Sequence, residues 1–149
     1  MPATQTPTAA DLVDNWRLLS YIFTPDDGDP FTPYGENPAG LITYTADGYM
    51  QVSIAASDRA AYDADDVQNG TVEQQAAARS YLTYAGRYEM RGDRVLHIVQ
   101  ISLMPGWSGV TLERIASLDG GQLLLTTPPI TRRGRTGISR LRWERAGAE

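Results

Sequence analysis

Apolar residues in this chain come in short runs separated by turn residues, and the longest run is residues 94–109, RVLHIVQISLMPGWSG. In an extended chain Val95, His97, Val99, Ile101 and Leu103 share one side, and Leu96, Ile98, Gln100 and Ser102 share the other. Both sides are mostly apolar, so this strand is predicted to be covered on both faces. The wall of a barrel with a filled or ligand-bearing interior meets that requirement better than a sheet with one wet face.

The other runs extend the pattern. A first strand is predicted over 15–24, where Trp16, Leu18, Ser20 and Ile22 alternate with Arg17, Leu19, Tyr21 and Phe23. Residues 26–38, rich in Asp, Gly and Pro, read as a loop whose Phe31 and Tyr34 pack on the end of the barrel. Strands over 40–45 and 49–55 flank Ala46-Asp47-Gly48, a hairpin signal. Residues 57–70 form an acidic connection with Asp58, Asp63, Asp65 and Asp66; their spacing does not fit a calcium loop, so a solvated segment is expected. Asn69-Gly70-Thr71 matches a glycosylation sequon, which carries little weight without a secretory signal.

A helix is predicted over 71–82, opened by the Thr71/Gln74 capping box, with Glu73 near its positive end. Further strands are predicted over 84–90, 110–118, 122–127 and 137–145, with turns at Arg91-Gly92-Asp93 and Asp119-Gly120-Gly121 and a stop at Pro128-Pro129. Arg132, Arg133 and Arg135 fall in a Gly-containing stretch and are assigned to a solvated loop rather than an anion site. In the last strand Ser139, Leu141 and Trp143 face one way, and Arg140, Arg142 and Glu144 the other. The sum is an all-β fold, a closed antiparallel barrel of about eight strands in up-and-down order. One short helix lies outside it or across one end. Residues 1–10 are expected to be a flexible tail and 11–149 a single domain.

Composition narrows the chemistry. The chain has no cysteine, its thirteen basic residues are all arginine, and it has one histidine. Thiol nucleophiles, zinc–thiolate sites, lysine Schiff bases, a P-loop and a multi-histidine metal centre are therefore excluded. No metal and no cofactor are expected. A net charge of −5 argues against nucleic acid as a partner. No apolar run approaches the roughly 20 residues of a spanning helix, and the N-terminus lacks the charge and apolar core of a signal peptide. The expectation is a cytoplasmic protein, monomer or homodimer, with neither membrane nor nucleic acid as partner. The lysine-free, Arg-, Ala- and Gly-rich composition suggests a GC-rich bacterial genome.

Several segments together resemble the bacterial and fungal lipocalin-like domain family, compact relatives of the lipocalins. They are NWRLLSY from Asn15, YGENPAGLITYTADGYM from Tyr34, YAGRYE from Tyr84, HIVQISLMPGW from His97, TPP from Thr127 and RWER from Arg142. The resemblance spans about residues 12–145. One departure is Asp14, which stands where the lipocalin Gly-x-Trp signature has glycine. The resemblance implies an eight-stranded barrel with a cavity open at one end that takes a small hydrophobic molecule. It also implies that the first-strand Trp16 packs near an arginine from the chain end, Arg142 or Arg145. Some related small barrels act as isomerases or cyclases without a cofactor.

His97 is the side chain that titrates near neutrality, and the family motif carries a histidine at the same place. It reads either as a ligand contact or general base, or as a histidine satisfied within the barrel wall. Tyr88 is the candidate partner for proton transfer. Tyr44, Tyr49 and Tyr84 would give a cavity aromatic faces with polar ends, and Ile101 and Trp107 would line it or its rim. Arg87 and Arg114 interrupt apolar strands; they face solvent, or one turns inward and pairs with Glu89, Glu113 or a ligand carboxylate. Ser102 and Ser108 are close to His97 in sequence, but Gly106-Trp107-Ser108-Gly109-Val110 lacks the last glycine of a nucleophile elbow. Two function classes follow: a binding protein for a small hydrophobic molecule, or a cofactor-independent isomerase or cyclase using His97 and cavity tyrosines.

Overall fold

The structure is a computed structural model, and it describes residues 4–59 and 71–147. The acidic connection is thus described only to residue 59; Asp63, Asp65, Asp66 and the Asn69-Gly70 of the sequon lie outside the described residues. So does the side chain of Glu73.

The described residues form nine antiparallel strands: β1 (Asp14–Pro25), β2 (Ala39–Tyr44), β3 (Tyr49–Ala55), β4 (Tyr81–Arg91), β5 (Arg94–Ser102), β6 (Thr111–Asp119), β7 (Gln122–Thr126), β8 (Ile130–Arg132) and β9 (Arg135–Arg145). Neighbours in sequence pair in turn from β1 to β7, β7 pairs β9, and β9 returns to β1, which closes an eight-stranded barrel. The ninth strand does not widen it. Because β1 runs along one side of β9 from residue 137 to 145, β7 and β8 share the other side end to end. The stretch assigned to a solvated loop therefore contains β8, a continuation of the β7 lane beyond Pro128-Pro129.

Among the described residues two short α-helices and a single 3-10 turn, Pro105–Trp107, accompany the barrel. Helix α1 (Ala9–Leu12) is started by a capping box between Thr8 and Asp11, a signal the sequence reading passed over. Just before it, Gln5 makes two backbone hydrogen bonds with Leu118. Helix α2 (Val72–Arg79) starts at the expected Thr71/Gln74 box but stops earlier than predicted. Tyr81 and Leu82 belong to β4, where they pair with Ala55 and Ile54. Strand pairing outweighs the helical propensity of that stretch. Among the described residues no helix is long and apolar enough to cross a membrane.

Two bulges decide which side chains face inward. Leu18 and Ser20 pair with successive residues of β9, so Leu19 is extra, and Tyr21 and Phe23 join Trp16 and Leu18 on the buried face. Likewise Gly86 pairs Val99 and Ala85 pairs Ile101, leaving Gln100 extra. His97 and Val99 are buried, whereas Ile101, expected beside them, is 68% exposed. An extra residue flips the alternation beyond it. Gly86 permits the bulge: a Cβ there would lie 2.0 Å from the Ile98 carbonyl oxygen.

One end of the barrel is plugged. Trp16 is fully buried, donates its indole N–H to the Leu12 carbonyl at 2.9 Å, and lies under the Arg145 guanidinium, 4.4 Å from the ring centre. Arg145 is held by Asp14 at 2.7 Å, so the residue in the signature's glycine place has become part of the plug. At the other end Phe31 packs on Phe23 and Tyr34 on Tyr21, as expected of that loop.

Candidate functional site

Strand alternation brings His97 of β5, Tyr44 of β2 and Tyr84 of β4 into the interior together. His97 is 1% exposed. Its Nε2 lies 2.7 Å from the Tyr44 hydroxyl and its Nδ1 lies 2.7 Å from the Tyr84 hydroxyl. Burial, and secondarily the Arg114 guanidinium, pushes the His97 pKa well below 6.5, so the ring is neutral at pH 7. A neutral imidazole offers one donor and one acceptor. Tyr44 has no other hydrogen-bond partner among the described residues. A buried hydroxyl left without an acceptor is costly, so Tyr44 donates to Nε2. Nδ1 then carries the proton and donates to the Tyr84 oxygen. The hydroxyl hydrogen of Tyr84 is left to point elsewhere, and Tyr84 lines the cavity.

That cavity is bordered on its apolar side by Ile42, Val52, Ile54, Leu82, Leu125 and Leu141. Its polar groups are Tyr21, Tyr84, His97, Thr127, Arg114 and Arg132, with Trp143 beside them. About 390 Å³ is free of atoms, including the mouth, but only ≈ 20 Å³ of it is roomy enough for the centre of a water molecule. The interior is therefore tight, and an organic ligand would have to move side chains aside.

The expected site residues divide. His97, Tyr84 and Arg114 line the cavity, Tyr44 stands behind His97, and Trp107 meets the Tyr84 ring edge-on at 5.9 Å. Tyr88 packs edge-on against Tyr44 at 4.8 Å, but its hydroxyl donates to the Thr45 carbonyl at 2.7 Å rather than to His97. Tyr49, Arg87 and Ile101 are not brought to the cavity. Tyr49 is on the outer wall under the Arg87 guanidinium, 4.8 Å from its ring centre, and Ile101 is turned outward by the bulge.

The cavity is also lined by residues outside the expected set, Tyr21, Arg132 and Trp143 among them. Tyr21 had been set on the opposite face from Trp16 because Leu19 was counted as a regular strand residue. Arg132 had been left to solvent; it donates to the Tyr21 hydroxyl and lies 5.5 Å from that ring's centre. Trp143, on the same strand face as Ser139 and Leu141, is fully buried and borders the cavity, where it pairs with Leu18 and Leu123 on the flanking strands.

Two comparisons bear on what such a barrel is. The 4'-hydroxy-3'-methoxypropiophenone carrier protein ppsC of Aspergillus oryzae is 34% identical to this chain over 94 residues, which cover 56% of this chain and 85% of the relative. A family model described as a lipocalin-like domain matches residues 14–146. With the closed eight-stranded wall, the match over nearly the full barrel settles its membership: the chain belongs to the lipocalin-like domain family.

Proposed function

We propose that this protein binds and carries a small aromatic molecule in the barrel interior. The observation that carries the reading is the make-up of the cavity, an apolar pocket between Ile42, Val52, Ile54 and Leu125 with convergent hydrogen-bonding groups, Tyr84 above all. A flat ring would lie between the aliphatic walls once side chains move aside, and the spare Tyr84 hydroxyl suits a ligand carbonyl or ether oxygen. The relative named as a carrier of an aryl ketone supports the same class of cargo. Titration with 4'-hydroxy-3'-methoxypropiophenone, followed by tryptophan fluorescence, tests it. Trp143 borders the cavity, so saturable quenching is expected, and Ile54→Phe, which fills the pocket, should abolish it. A linear, non-saturating response would sink the reading.

A second reading has one observation in its favour. The hydrogen-bond chain Tyr44–His97–Tyr84 ends at the cavity, as a proton relay in a cofactor-independent isomerase or cyclase would. Such an enzyme should catalyse deuterium uptake next to the carbonyl of a bound ketone in heavy water. His97→Ala should lower that rate by roughly 10²–10⁴, the usual loss for a general acid or base. A carrier gives no uptake above the solvent rate.

A further inference from the structure

Most arginines among the described residues have an evident partner. Arg17, Arg91, Arg94, Arg135, Arg142 and Arg145 pair with carboxylates. Arg59, Arg87 and Arg133 lie over surface aromatic rings. Arg114 and Arg132 differ. Both border the cavity, and no carboxylate among the described residues borders it with them. Arg114 donates to the Glu113 carbonyl and also interacts with the Tyr84 hydroxyl, and Arg132 donates to the Tyr21 hydroxyl and also interacts with that of Tyr34. None of these partners is an anion.

The positions of the two arginines follow from the strand pairing. β6 pairs β7 only from Ile115 onward, and β8 pairs β9 alone. Thr111–Arg114 pairs with β5 alone and Ile130–Arg132 with β9 alone, so no ladder joins these two segments of the wall. Arg114 and Arg132 stand at the ends of the two segments, and both border the cavity.

The unmet demand in the cavity is all of one sign. The buried Nε–H of Arg132 and the buried indole N–H of Trp143 have no acceptor among the described residues. Both are donors, and both residues line the cavity. The phenols of Tyr34, Tyr44 and Tyr84 cannot supply a negative charge, since burial pushes each of them up. Two half-buried guanidiniums, one of them with an orphaned Nε–H, and an orphaned indole N–H around an apolar pocket favour a ligand with acceptor atoms bearing negative charge. His97, neutral and tied at both nitrogens, neither adds to nor offsets that charge.

We propose that the interior site takes an aromatic oxyanion, with Arg114 and Arg132 as its charge partners and the aliphatic wall holding its ring. This rests on the reading of the interior as a small-molecule site. An acidic phenol bound as phenolate and an aryl carboxylate share the required chemistry: one or two oxygens in line with a flat apolar body, suited to a guanidinium fork.

The test uses three probes with the intact protein. They are 4'-hydroxy-3'-methoxypropiophenone, its 4'-O-methyl ether, which cannot ionise, and benzoate, with affinities from calorimetry and the bound state of the phenol from its absorption. The phenol should bind at least roughly tenfold more tightly than the ether, as expected for gaining one hydrogen bond to a charged group. Its absorption should move to the longer wavelength of the phenolate at a pH where the free phenol is neutral. Arg114→Gln and Arg132→Gln should each weaken phenol or benzoate roughly tenfold to a hundredfold and leave the ether nearly unchanged. Which of phenol and benzoate binds more tightly separates the two sources of the oxyanion. Should a variant fail to fold, the phenol-to-ether ratio and the absorption shift in the unaltered protein still decide. Equal binding of phenol and ether, or a bound phenol that keeps its neutral absorption band, in a protein that also fails to bind benzoate overturns the oxyanion assignment and leaves the carrier reading standing. Failure of all three probes to bind overturns both.

Discussion

His97 enters the folded state uncharged because burial, and after it Arg114, disfavours the imidazolium. The unfolded chain takes up a proton at this residue as pH falls below about 6.5, while the folded chain does not. Stability from this group is thus complete above that value and is lost as pH drops toward the lowered folded pKa. The melting temperature should fall between about pH 7 and about pH 5, and His97→Gln should flatten that slope. A wild-type curve that stays level over this range would show that the imidazole is charged in the fold. Asp11 and Asp14 do not blur the test. Their pKa values are lowered, by hydrogen bonds from Thr8 and from Arg145 respectively, so their losses begin only near and below 3.8. Removing either hydroxyl, by Tyr44→Phe or Tyr84→Phe, leaves one imidazole nitrogen unpartnered and should cost roughly 1–3 kcal/mol in denaturant unfolding. His97 was legible in the sequence because it is the sole histidine in an apolar run. Tyr44 and Tyr84 were legible as strand tyrosines, yet nothing local separated them from Tyr49 and Tyr88. Their direction depends on hairpin register and on which hydroxyl finds a nearer acceptor.

At the level of strands, the hairpins were readable and the bulges were not. Asp-Gly and Gly-Gly turns announce themselves, and the β2–β3 and β6–β7 connections fall where those dipeptides stand. An extra residue in a strand has no such signature. Leu19 and Gln100 look like ordinary strand residues, so Tyr21 and Ile101 were each set on the wrong face. Gly86, opposite the second bulge, was the available clue, since glycine inside a strand often marks close backbone approach. Its need for a missing Cβ gives a test. Gly86→Ala would drive a methyl into the Ile98 carbonyl and should cost at least roughly 1–3 kcal/mol, the range for overpacking. A melting curve matching wild type would mean that the bulge can relax. The plug offers a contrasting case, because Trp16 was readable from its motif and the family resemblance set Arg142 or Arg145 beside it, of which the structure has Arg145. Trp16→Ala should cost about 3–5 kcal/mol, as large aromatic deletions in cores do.

For the whole molecule, the closed wall explains why the interior can hold uncompensated donors at all. β1 closing onto β9 removes free edges around most of the circumference, and the Trp16 plug seals one end. The remaining weakness is the unpaired stretch between Thr111–Arg114 and Ile130–Arg132, where the two interior arginines sit. A barrel this tight must loosen locally to admit a ring, so binding and stability are coupled. A ligand that binds only the folded barrel adds RT ln(1 + [L]/Kd), about 2.7 kcal/mol at a hundredfold excess over Kd. For a domain near this size that corresponds to a rise in melting temperature of roughly 5–11 °C. The rise should grow with the logarithm of ligand concentration, and Ile54→Phe should remove it while leaving the protein folded. A rise that survives pocket filling would place the ligand outside the barrel. The two shallow depressions of the outer wall, beside Leu41 and Tyr81 and beside Tyr49 and Ile101, would then be the surfaces to mutate.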